Sequence, residues 1–400
     1  MNKKIFYAEA CYSDEEITEV TNVLKKSRLA LMDGPKVKEL EAKVAQIFNK
    51  KYGLMVNSGS SANLLGILSL KLRKGSKVIT PALTFSTTVS PLVQSGLIPY
   101  FVDVDRNTFQ LNTEILKKID LENVSAICVP NLIGNVANWE EIYNFARENN
   151  LKIIEDSADT IGYCYKSSIS NWSDISTTSF YASHVITGAG FGGMTCFSDI
   201  ENYERALSLR GWGRRSSLYS NSEDYERRFN VKIDDMYYDD KYIFDDVAYN
   251  FLPSEISAAF ALVQLKKLNI NVEKRIENFN YLKNNLNYSD NLYVPKTYSN
   301  VTTGWLAFPL LLQGKLSNKR KEMQIFLEKE GIQTRTIFTG NIMRQPVSKK
   351  FEWDSFGSFE VSDEVMKSGI LLGSHNRQPK ENLDFIVMKI KEAEKKLINL

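Results

Sequence analysis

Residues 178–194 hold the densest set of reactive groups: Thr178-Ser179-Phe180-Tyr181-Ala182-Ser183-His184-Val185-Ile186-Thr187-Gly188, then Ala189-Gly190-Phe191-Gly192-Gly193-Met194. His184 is one of two histidines in 400 residues, and four glycines fall within positions 188–193. An imidazole can take or give a proton near neutral pH, and glycine lets a backbone turn tightly around a ligand. The blander reading of His184 is a buried ring satisfied by nearby backbone groups. Two carboxylates end the apolar run Leu151-Lys152-Ile153-Ile154-Glu155-Asp156, with Asp159 close behind. Such groups could bind a metal, pair with a protonated heterocycle or cap the next helix, capping being the commonest use. Ahead of Leu64 lies a small polar turn, Asn57-Ser58-Gly59-Ser60-Ser61-Ala62-Asn63. Free N–H groups and the helix dipole at such a point favour a phosphate, with Gly59 allowing close approach and Ser60 and Ser61 adding hydroxyls. A serine-rich turn also serves as a plain helix cap.

The elements that position these groups alternate. Val37, Leu40, Val44, Ile47 and Phe48 recur at helical spacing after Pro35, which predicts an amphipathic helix. Leu54-Met55-Val56, Lys77–Thr80, Ile98–Val104, Ala126–Pro130 and Leu151–Glu155 read as strands. Helical stretches at Leu64–Leu72, Ser86–Gln94 and Trp139–Asn149 separate them. Strand-helix alternation predicts an α/β fold with a mostly parallel sheet covered on both faces, whose ligands bind beyond the carboxyl ends of the strands. Ser216–Asp246 reads as a long charged, aromatic loop, and Ser254 caps a helix bearing Ile256, Ala259, Phe260 and Val263. From about Asn271 charged helices and few strands predict a smaller α+β domain, with Trp305–Phe308 as one strand and Leu383–Leu397 as the last helix. The expected division is 1–270 and 271–400, with N-terminal residues packing on the second part.

Charge is nearly balanced, 50 Lys+Arg against 48 Asp+Glu, which argues against a nucleic-acid or membrane partner. No leader-like or spanning apolar run opens the chain, so a cytoplasmic protein is expected. Cys11, Cys128, Cys164 and Cys196 are far apart, which predicts free, mostly buried thiols and no metal site. His375, in Gly373-Ser374-His375-Asn376, reads as a surface-loop residue, and Tyr237, Tyr238 and Phe251 as packing aromatics.

Taken in order, Asn57–Ala62, Thr80-Pro81-Ala82-Leu83-Thr84-Phe85, Phe101–Asp105, Glu155–Ala158, Ser179-Phe180-Tyr181 and Tyr249-Asn250-Phe251 resemble the DegT/DnrJ/StrS sugar aminotransferases over nearly the whole chain. These are fold-type I pyridoxal-phosphate enzymes, with a large, mostly parallel mixed sheet flanked by helices and a smaller α+β C-terminal domain. The resemblance implies pyridoxal 5'-phosphate or pyridoxamine 5'-phosphate as cofactor. It puts the phosphate on Gly59, Ser60, Ser61 and Ser179, stacks Phe85 on the ring, and pairs Asp156 with the ring nitrogen. It sets Asp159 near the ring hydroxyl. Asn250 looks like the residue that reaches the phosphate of a neighbouring subunit, which implies a homodimer with shared active sites.

Position 184 departs from the family at large, where a lysine anchors the cofactor covalently. His184 makes the chain similar to the histidine-containing branch, the NDP-4-keto-6-deoxyhexose 3-dehydratases of deoxysugar and lipopolysaccharide O-antigen biosynthesis. Thr334–Pro346 looks like that branch's C-terminal motif, which makes Arg335, Asn341 and Arg344 candidates for the substrate side. Arg335 could clamp a carboxylate or diphosphate. What the branch implies is loss of the 3-hydroxyl from a nucleotide-linked 4-keto-6-deoxy sugar, His184 acting as acid and base and L-glutamate regenerating the amine. The reductase-coupled version needs grouped cysteines, and Cys196 has no near neighbour. A cofactor- or sugar-binding protein without catalysis is the other reading. Gly188–Gly193 lacks the glutamate usual after this motif, and Trp212-Gly213-Arg214 lacks a cysteine-containing continuation.

Overall fold

The computed structural model describes residues 4–26, 31–219 and 221–399. Helices α1 (Asp14–Lys26) and α2 (Pro35–Ile47) precede the alternating region. The apolar runs there form β1 (Tyr52–Val56), β2 (Lys77–Pro81), β3 (Ile98–Val102), β4 (Val124–Pro130) and β5 (Lys152–Ser157). They are buried almost end to end, as a sheet covered on both faces requires. The eight-stranded sheet runs β1, Gly193–Phe197, Ile175–Ser179, β5, β4, β2, β3, Asp354–Ser355. Gly193–Phe197 is antiparallel to both neighbours and the other pairings are parallel. A second sheet, Leu292–Tyr293, Phe308–Leu312, Gly369–Leu372 and Arg335–Thr336, is antiparallel throughout. Ile5 bridges Ile332 beside it. Among the described residues no helix is long and apolar enough to cross a membrane.

Several boundaries move for identifiable reasons. Helix α3 (Gly59–Ser69) starts at Gly59 rather than Leu64, because the Ser58 hydroxyl accepts the Ser61 N–H at 3.1 Å and nucleates the turn earlier. The strand expected at Trp305–Phe308 runs Phe308–Leu312. Trp305 instead stacks on Phe279 at 4.5 Å, and Leu306 donates its N–H to Ile133. Within Ser216–Asp246 a hairpin forms, Val231–Ile233 with Met236–Tyr238. Its Tyr237 and Tyr238 are exposed rather than packed; Phe251 stacks on Tyr249 at 4.7 Å. Cys128 and Cys196 are buried, Cys11 is intermediate, Cys164 is exposed, and all four are free. His375 is the clear correction: it is 2% exposed, because its loop is drawn onto helix Leu268–Leu286, where Asn278 donates to the His375 carbonyl at 2.8 Å.

Candidate active site

The carboxyl ends of the strands open onto a cavity of about 730 Å³. The polar turn contributes its floor. Ser58 caps α3, so the first-turn N–H groups at Gly59 and Ser60 meet the cavity as an anion cradle. The space is tight: a Cβ on Gly59 would lie 2.6 Å from Ser179 Cβ, and one on Gly193 would lie 2.4 Å from the Ser58 carbonyl. Ser179 lines the cavity beside them, whereas the Ser61 hydroxyl is spent on the Asn57 side chain at 2.7 Å.

Asp156, at the end of β5, takes three hydrogen bonds: from Asn63 and Thr88 at 2.8 Å each, and from the Ala158 N–H at 3.1 Å. A carboxylate offers about four acceptor positions, which leaves room for one further donor from the cavity. Burial pushes the Asp156 carboxyl up, against those three bonds; a cationic N–H facing it would reverse that push. Asp159 accepts the Ile133 N–H at 2.9 Å, and burial raises its carboxyl to about 7. Ile133 itself sits at φ 63°, a strained setting for a β-branched residue.

The glycine-rich turn returns His184 to the cavity. Its Nδ1 lies 3.3 Å from the Ser179 carbonyl. A carbonyl only accepts, so Nδ1 carries the proton and Nε2 is left as the basic nitrogen. Burial, with the Arg275 charge adding to it, draws the imidazole down to about 4 against the Ser179 bond. Tyr181 meets the ring edge-on at 5.9 Å. No lysine is among the described lining residues.

Phe85 lines this cavity and a second of about 670 Å³ that adjoins it through Tyr7, Phe85 and Phe338. Arg335 lines the second, its guanidinium 5.7 Å from the Tyr7 ring. Gly59, Ser60, Phe85, Asp156, Asp159, Ser179 and His184 are therefore brought together, with Arg335 next door. Asn341 and Arg344 are not: both bind Asp363, at 2.8 Å and 2.7 Å, and neither lines these cavities. Asn250 is exposed, away from both cavities, bridged to Gly211. Tyr7, Leu306 and Phe338 are not among the residues expected from sequence: Tyr7 and Leu306 come from distant segments that no local motif marks, and Phe338 lies inside the Thr334–Pro346 motif, where the sequence points to Arg335, Asn341 and Arg344 instead.

Residues 10–391 match the family described as DegT/DnrJ/EryC1/StrS aminotransferases. The chain belongs to that family. Among DegT-family relatives it is similar to lipopolysaccharide biosynthesis protein RfbH of Salmonella typhimurium, 33% identical over 88% of this chain and 83% of that one. It is likewise similar to GDP-4-keto-6-deoxy-D-mannose 3-dehydratase of Escherichia coli O55:H7, 30% identical over 95% and 97%. A solved GDP-4-keto-6-deoxymannose-3-dehydratase holding a trapped PLP-glutamate geminal diamine superposes with a TM-score of 0.86, 28% identity, and 96% and 100% coverage. The mixed α/β architecture, with its large, mostly parallel sheet, is thus that of fold-type I PLP enzymes.

Proposed function

We propose that this DegT-family chain is a nucleotide-sugar 3-dehydratase. It takes pyridoxal/pyridoxamine 5'-phosphate, removes the 3-hydroxyl of an NDP-4-keto-6-deoxyhexose, and uses L-glutamate to restore the amine. The observation carrying this reading is His184, a neutral imidazole with a basic Nε2, in a cavity whose described lining includes no lysine.

The residues present fit the cofactor. The α3 cradle, with Gly59, Ser60 and Ser179, suits its phosphate; the open acceptor position on Asp156 suits a protonated ring nitrogen; Phe85 offers a ring face; and Asp159 is available to the ring hydroxyl. When bound, the cofactor supplies an amine for the sugar ketone and a conjugated ring that accepts electrons. His184 Nε2 takes the proton from the carbon bearing that amine, and the resulting imidazolium can hand it to the departing 3-hydroxyl. Apolar Leu132, Leu306 and Phe338 limit water around that transfer. Arg335, in the adjoining cavity, is suited to a diphosphate.

Two copies sharing their sites belong to the same proposal. Exposed Tyr237, Met236 and Phe229 give the 215–250 segment an aromatic surface of the kind that pairs subunits, and Asn250 lies at its end. The function is tested by offering CDP-, GDP-, UDP- and dTDP-4-keto-6-deoxyhexoses with glutamate and weighing the products. Loss of the 3-hydroxyl oxygen with the ketone kept is expected; a product carrying an added amino group overturns the reading.

A further inference from the structure

Asp156 is 5% exposed, and the three elements that pack on its carboxyl, α3, the helix Ser86–Gln94 and the strand Ile175–Ser179, contain no titratable side chain. A buried carboxylate is costly unless charge or hydrogen bonds answer it. Here the answer consists of neutral donors, and they are unevenly spread. Asn63 Nδ2 and Thr88 Oγ1 both donate to Oδ2, at 2.8 Å each, whereas Oδ1 takes the Ala158 N–H alone, at 3.1 Å. With two lone pairs on each oxygen, Oδ2 is filled, and the acceptor position left for a cavity donor belongs to Oδ1.

Asn63 is itself fixed from three sides. Its Nδ2 donates to the Thr87 carbonyl at 3.0 Å as well as to Asp156. A carbonyl and an ionised carboxylate only accept, so the amide nitrogen must face them both. The amide oxygen is thereby turned toward Thr177, whose hydroxyl donates to it. Thr177 is the register partner of Asp156 across parallel strands, so the two side chains rise from the same face of the sheet. From Thr177 through Asn63 to Asp156 every step is a direct hydrogen bond between buried side chains.

We infer that Asn63, Thr88 and Thr177 are positioning residues for the cofactor: by filling Oδ2 of an ionised Asp156 they present Oδ1 to the ring nitrogen and keep that nitrogen protonated. This rests on the proposed pairing of Asp156 with the ring nitrogen and does not depend on which sugar reacts. The neutrality of the donors matters as much as their placement. A lysine or arginine among them would pair with the carboxylate and compete with the incoming cationic N–H. The titratable groups that face Asp156 are Cys128 on β4, Glu155 next to it on β5 and Asp159 beyond the strand end, with His184 and Tyr7 elsewhere on the cavity wall. None of these is a fixed cation.

The test uses holoenzyme reconstituted with pyridoxamine 5'-phosphate isotope-labelled at its ring nitrogen, whose NMR shift is followed against pH. Thr88→Val and Thr177→Val each remove one hydroxyl with little change of shape, and Thr177→Ser keeps the hydroxyl. The expected result is a wild-type midpoint for loss of the ring proton above that of free cofactor, a fall of about one pH unit in each valine variant, and the wild-type value in Thr177→Ser. Valine variants that match wild type, or a Thr177→Ser midpoint that falls as far as that of Thr177→Val, overturn the inference and leave the Asp156 pairing standing. A wild-type midpoint at or below that of free cofactor overturns both, and needs no variant to fold. Failure of every 4-keto sugar to react, with the midpoints moving as expected, would count against the dehydratase reading alone.

Discussion

In the proposed reaction His184 and Asp156 divide the chemistry by surroundings: one is an imidazole with Nδ1 tied to a carbonyl and Nε2 free to act as base, the other a carboxyl with one acceptor position open. Replacing His184 by Asn keeps the polar contact at Nδ1 but removes the base. Dehydration should fall about a hundred- to ten-thousand-fold, while the absorbance of added cofactor still reports binding. Asp156→Asn should raise the cofactor dissociation constant about a hundredfold, read by fluorescence titration. His375 gives a pH prediction. Burial draws its ring down to about 4 from about 6.5 in the unfolded chain. Its contribution is complete above 6.5 and is lost as pH falls toward 4, because the unfolded chain then binds a proton that the folded ring refuses. His375→Gln should therefore flatten the acid side of the stability curve by up to about 3 kcal/mol, measured by denaturant titration at pH 7 and pH 4.5. That His184 and Asp156 face one cavity was legible because each sits in a short stretch of telling composition. The burial of His375 was not: Gly-Ser-His-Asn reads as a turn, and the loop is held by Asn278 on a helix about a hundred residues earlier.

At the level of elements, the site depends on two backbones meeting with nothing between them. Gly193 opens the antiparallel strand and lies flat against the Ser58–Gly59 peptide that starts α3. Gly193→Ala forces that turn to shift, so it should cost about 1–3 kcal/mol and weaken the phosphate cradle. A parallel loss in melting temperature and in phosphate-dependent cofactor binding would show it. The strand-helix alternation was legible because each strand is buried on both faces and reads as an unbroken apolar run. The hairpin at Val231–Tyr238 was not, since its residues are mostly exposed and alternate without an apolar face. Trp305-Leu306 misled for a related reason: the residues are strand-like, but the backbone is engaged by Ile133 and Arg275 instead of a neighbouring strand.

For the whole molecule, the proposed dimer makes each site the work of two chains. Mixing His184→Asn with Asn250→Ala protein, each inactive alone, should restore about a quarter of wild-type activity if Asn250 serves the partner's site; no recovery after subunit exchange would sink that assignment. Sequence order suggested a break near residue 270, and the antiparallel sheet does lie beyond it. Asp354–Ser355 nevertheless returns to close the edge of the first sheet beside β3, and Ile5 pairs with Ile332. Pairings so distant leave no local trace in composition. They also set a timetable. Tyr7, a wall residue of the cavity, is held by Gln333 and lies close to Ile5 in sequence, so residues 5–7 find their place only after the segment around residue 333 has been made. The central strands can assemble first, but the cavity is complete only once Phe338 has been made and folded back. Closing so long a loop is a slow step, and until it is done the cavity lacks its Tyr7 wall.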